Sequence, residues 1–120
     1  MEPQDTITIA PSVLIAIAMY AATEVEGIAH MGAIPVDVGR LFRGNPMGSG
    51  VVLDIEENSA KVDLYLVVEP GINMRKASQE VQRNVKRSVQ ELVGMDVTAV
   101  NIHIEDVDYS AAQFSKQSNT

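Results

Sequence analysis

The sequence predicts an α+β domain: a four-stranded mixed sheet with two main helices on one face, in the order βα(loop)ββαβ, a ferredoxin-like or similar layout. Three observations predict it. Residues 51–57, 61–69 and 97–105 alternate apolar and polar with a period of two, the mark of strands. Two helical stretches separate them, one apolar all round (13–22) and one amphipathic (74–92). The second helix stands between two strands, and a strand–helix–strand crossover should be right-handed and leave its strands parallel.

Length and composition bound the rest. A chain of 120 residues fits one domain, expected over residues 6–108 with a flexible leader at 1–5 and a disordered tail at 109–120. At 46% hydrophobic and 21% charged, the chain is not disordered as a whole. Aromatics are only 4% and tryptophan is absent, so the core must come from Val, Ile, Leu, Ala and Met. The absence of cysteine excludes a disulfide framework, a thiolate zinc site and a cysteine nucleophile, and agrees with a reducing cytoplasm. The acidic start MEPQDT is not a signal peptide. The apolar run at 13–22 is half the roughly 20 residues needed to cross a bilayer, so it reads as a core helix.

In chain order, Thr6 to Ile9 alternates with Ile7 and Ile9 on one face and reads as a short strand. Pro11 suits the first turn of the apolar helix, where its missing N–H is not needed, and Gly27 supplies a left-handed stop after Glu24 or Glu26. With no polar side, this helix needs cover on more than one face. Residues 28–50 are punctuated by Gly and Pro. Pro35 can open one or two helical turns through VDVGRLF, anchored to the core by Val36, Leu41 and Phe42, and RGNPMGSG then reads as a loop. The hairpin follows, turning at Asn58 and Ser59. Val51, Leu53, Ile55, Val62, Leu64, Leu66 and Val68 face inward, and the opposite face is the wetter one. Asn73 caps the second helix, whose stripe runs Met74, Ala77, Val81, Val85, Val89 and Leu92 before Gly94 ends it. The last strand points Val100, Ile102 and Ile104 inward and Asn101, His103 and Glu105 outward.

The net charge of −7 opposes general attraction to nucleic acid or anionic membranes, but it is uneven. Arg75, Lys76, Arg83, Lys86 and Arg87 face only Glu80 and Glu91 within 74–93, so the second helix is +3 and the remainder −10. An acidic body with one basic helix suits self-association or docking; a plain solvated helix is the simpler alternative.

Catalytic patterns are absent. There is no HExxH and no paired histidine spacing, so no metal site is indicated. GNPMGSG is neither GxGxxG nor a Walker motif, and no serine has a nucleophile-elbow context. His103 beside Asp63 or Glu105 would make a base, although a solvated strand histidine explains it as well. No catalytic residue, metal or cofactor is assigned. An RNA-binding module using the basic helix is the alternative. It lacks the aromatic pair that stacks bases on central strands, Tyr65 being the one aromatic on the expected sheet.

Five pieces in order bring one family into view: the IAPSV start, ATEVEGI at 22–28, DLYLVVEPG at 63–71, the VxxxV spacing running into LVGM, and VNIHIEDV at 100–107. Together they resemble the bacterial alkaline shock protein family, also called envelope stress response proteins, from about Thr6 to Val107. The resemblance implies a small, cytoplasmic, non-catalytic protein of Gram-positive and related bacteria. Some members gather at the inner side of the membrane through a membrane-embedded partner, and others are linked to lipid metabolism. It brings no catalytic residue. Residues 30–50 depart from the family pattern by being richer in Gly and Pro. The expected function is therefore a scaffold or adaptor of the envelope stress response that forms homo-oligomers. Its candidate interaction surface comprises Arg75, Lys76, Arg83, Lys86 and Arg87 on the helix, with Asp63, Tyr65 and His103 on the open sheet face.

Overall fold

The computed structural model describes residues 5–110 as α1 (Pro11–Thr23), β1 (Ile28–Met31), α2 (Val36–Leu41), β2 (Met47–Gly48), β3 (Val51–Ile55), β4 (Ser59–Val68), α3 (Met74–Val93) and β5 (Asp96–Val107). The class is α+β, as expected, with one mixed sheet of five strands rather than four. Strand β4 is its axis. One edge pairs in parallel with β5 over its whole length, from Ser59 opposite Asp96 to Val68 opposite Val107. The other edge is shared end to end: β3 pairs antiparallel with Ala60–Leu64, and β1 antiparallel with Leu66–Val68. The short β2 extends the sheet beyond β3.

That arrangement corrects two expectations. Thr6–Ile9 is not a strand; it has no regular secondary structure, is exposed and has no ladder partner among the described residues. Both edges of β4 are occupied, by β5 on one side and by β1 and β3 on the other, so no place beside the axis remains for it. The additional strands come from the stretch expected to be irregular. Residues 28–31 are too short to show alternation, and the two residues of β2 form a strand only by pairing with Val51 and Val52.

Helices α1 and α3 pack against each other over one face of the sheet and form a single core with it. From α1 come Leu14, Ala18, Ala21 and Ala22, and from α3 Ala77, Val81, Val85 and Val89. The strands add Val51, Leu53, Val62, Leu64, Leu66, Val68, Val97 and Val100. The alanines of α1 let α3 approach closely, and Asn84 Nδ2–H of α3 donates to the Ala21 carbonyl at 2.7 Å. Helix α3 begins as expected, with Asn73 Oδ1 accepting from Lys76 N at 3.0 Å, and it ends at left-handed Gly94. Its stripe frays at both ends, where Met74 and Leu92 are exposed.

The helical turns after Pro35 are present, but they do not anchor to the core. Val36 is 70% and Leu41 78% exposed, and Phe42 is half-buried. Six residues make too short a helix to present both an inward stripe and an outward face, and the backbone bonds that fix this region come later, at Pro46 and Asn45 on Leu53. The outer sheet face is also drier than alternation alone implies. Val52, Tyr65 and Val67 are buried on it, with Met47 paired beside Val52 and the His103 ring over Tyr65.

Candidate interaction surfaces

The parallel register of β4 and β5 builds the first surface. Tyr65 lies opposite His103 and Asp63 opposite Asn101, so these side chains share the face turned away from the helices. The His103 and Tyr65 rings stack at 4.5 Å between centroids and 12° between planes. His103 Nε2–H donates to Asp63 Oδ1 at 2.9 Å, which holds the imidazole over the phenol. Burial first, then the charges of Asp63 and Glu105, push the Tyr65 hydroxyl above its ordinary range. The backbone of Tyr65 is fixed from both flanks: its N–H donates to Gly50 O at 2.8 Å and its carbonyl accepts from Gly32 N at 2.7 Å. These bonds close the seam where β1 and β3 meet along β4.

The sequence places Asp63, Tyr65 and His103 correctly on one face, but it misses that His30 shares it. His30 pairs with Val67, and its Nε2 lies 3.7 Å from Asp108 Oδ2. The signal was hidden because β1 was read as loop. An aspartate-held imidazole is the skeleton of a general base. Here the His103 side chain is 41% exposed on open sheet, and among the described residues no group of three or more His, Cys, Asp or Glu is placed to hold a metal ion. What the arrangement does is present a flat, hydrogen-bonding ring on a rigid sheet.

The second surface is α3. Its apolar stripe turns inward, so Arg75, Lys76, Arg83, Lys86 and Arg87 are all exposed on the outward side. Arg83 and Arg87 line a cleft of about 320 Å³ with Glu24, Glu26 and Glu80, and Arg87 also donates to Asn84 Oδ1. The ion pairs among the described residues are both histidine–aspartate pairs, and none uses these five cations. The candidate residues thus fall on two separate surfaces, the basic helix on one side and the histidine cluster on the opposite side of the sheet. A third feature escaped the sequence: Val13, Ile17 and Tyr20 of α1 with Leu92 of α3 line an apolar groove of about 230 Å³. Helical spacing puts Val13, Ile17 and Tyr20 on one side of α1, and the packing leaves that side open, with Val13 and Tyr20 exposed.

No helix among the described residues is long and apolar enough to cross a membrane. The chain is 32% identical over 114 residues to the uncharacterized protein YqhY of Bacillus subtilis, spanning 91% of this chain and 84% of that one. It is also 32% identical over 102 residues to an uncharacterized protein of Streptococcus pyogenes, spanning 84% and 78% respectively. Among solved structures, the MamM CTD resembles it with a TM-score of 0.52 at 11% identity, over 82% of this chain and all of that one. At this identity the likeness concerns the fold alone. A family model described by its cell envelope-related function matches residues 1–109. With residues 1–109 of 120 matched, and with the sequence signatures falling on the helix ends and strands described above, the chain belongs to the alkaline shock protein family.

Proposed function

We propose that this protein is a non-catalytic scaffold or adaptor of the envelope stress response. It acts by self-association and by protein–protein contacts, in the cytoplasm at the inner face of the membrane, held there by a membrane-embedded anchoring partner. The observation that carries the reading is the outward face of α3: five exposed cations, in no ion pair among the described residues, on a chain of net charge −7. Such a face attracts an acidic surface, and the rest of the same chain offers one. The family's cell envelope-related function supports the setting. The Asp63, Tyr65 and His103 cluster is a second contact surface, rigid because its members hold one another.

RNA binding would use the same cations. Tyr65, the one aromatic on the expected sheet, is 4% exposed and already covered by His103, which disfavours that use. The test is co-purification of the tagged chain from its native cells with and without the membrane fraction, beside the variant Arg83→Glu/Lys86→Glu/Arg87→Glu. The scaffold reading expects a membrane protein recovered with the wild type and lost with the variant. Recovery of RNA in its place, or equal recovery by both chains, would overturn it.

A further inference from the structure

Strand β5 is paired on one side. It runs along β4 for its full length, and among the described residues no strand pairs with its other edge. From Val97 to Ile104 that edge carries no charge and no proline, two of the devices that keep an edge strand from recruiting another chain, and its bulges, at Thr98 and Glu105, leave the register regular from Ala99 to Ile104. Beside it lies a groove of about 510 Å³. Ile102 and Ile104 form its floor and are only half-buried; Met74, Arg75 and Gln79 of α3 stand along it. Gln82 closes one end, its Nε2–H donating to the Val100 carbonyl at 3.0 Å. An open backbone edge beside apolar positions at every second residue is what strand addition requires: main-chain hydrogen bonds supply affinity and the alternate side chains supply specificity.

A strand-forming segment without a ladder is present in the same chain. Thr6–Ala10 alternates, is exposed throughout, with Ile7 at 91%, and enters α1 through extended backbone at Ala10. We propose that Thr6–Ala10 of one copy adds to the outer edge of β5 in a second copy, antiparallel, with Ile7 beside Ile104 and Ile9 beside Ile102. Two apolar side chains on the donor meet the two half-covered isoleucines of the groove, and the new ladder stops where Gln82 already satisfies Val100. This direction sets Pro11, which has no N–H to offer, opposite Val100, whose carbonyl Gln82 already satisfies. Donor and acceptor are different surfaces of the chain, so the contact is head to tail and closes into a ring or reciprocal pair, or extends as a filament.

The proposal rests on the self-association reading and names its geometry. Sedimentation velocity on the full chain at high salt, where contacts of the basic helix are screened, separates the two. Ile7→Pro removes a donor N–H and an apolar side chain from a segment whose exposure leaves the fold unaffected, and it should weaken association about tenfold or more. If the wild type associates and Ile7→Pro matches it, the strand geometry is wrong while the scaffold reading stands. If the wild type is a single chain at every salt and concentration, both fall. A second measurement uses the absence of native cysteine. Chains carrying Ala10→Cys alone and Asn101→Cys alone are mixed and oxidised. A mixed disulfide dimer supports exchange between copies. Failure of the mixture to cross-link, with an internal disulfide in the double variant, would show that the segment pairs within one chain and would overturn the proposal.

Discussion

Replacing Gly50 by alanine is expected to cost about 1.5–2.5 kcal/mol of folding stability. Gly50 sits at φ +76, and a Cβ built there would lie 2.5 Å from Gly32 O and 2.9 Å from Tyr65 O. The left-handed conformation costs an L-residue roughly 1–2 kcal/mol. Relieving a 2.5 Å contact with a backbone carbonyl means moving the β1–β3 seam, and with it one of the two hydrogen bonds on Tyr65, at about 1 kcal/mol. Alanine recovers about 0.4–1 kcal/mol by restricting the unfolded chain. Two other glycines separate these contributions. Gly44 has φ +93 but no atom within 4 Å of its Cβ position, so Gly44→Ala should cost only about 0.5–1.5 kcal/mol. Gly48 has neither strain nor a neighbour, so Gly48→Ala should fall within about 0.5 kcal/mol of wild type. Urea denaturation with a common slope measures all three. A Gly50→Ala midpoint no lower than that of Gly44→Ala would refute the argument that close approach at the seam holds Tyr65 in place.

Three further outcomes follow from the side chains. The raised pKa of Tyr65 means the folded state keeps the phenolic proton after the unfolded chain has lost it, so stability should fall as pH rises past about 10, and Tyr65→Phe should flatten that limb in urea titrations at alkaline pH. Asp108 is held below its ordinary range by the Ser110 hydroxyl and N–H, and then by His30; Ser110→Ala should let the Asp108 carboxyl titrate at higher pH by NMR. Asn84→Ala leaves the Ala21 carbonyl without its donor between the two helices and should cost about 1 kcal/mol, read from the urea midpoint.

Much of the fold was legible because its long elements have strong periods. The β3–β4 hairpin, the α3 stripe and the parallel return of β5 all follow from spacing, cap and crossover geometry. What failed were segments whose state depends on a partner. Thr6–Ile9 has the alternation of a strand, but β4 has no edge left for it. Ile28–Met31 has little pattern of its own, yet it is a strand because Leu66–Val68 is there to pair with it. The same distinction governs the candidate surfaces. Helical period alone places all five cations of α3 outside, and strand period places Asp63, Tyr65 and His103 on one face. The inclusion of His30, the 2.9 Å bond from His103 to Asp63 and the burial of Tyr65 all depend on strand register, which no local pattern encodes.

Self-association is the claim on which the functional account turns, and sedimentation velocity of the full chain over a range of protein and salt concentrations tests it most directly. The account predicts species heavier than one chain that populate with protein concentration, with the part held by the basic face of α3 lost as salt rises. A single sedimenting chain at every concentration, in low and high salt alike, would contradict it.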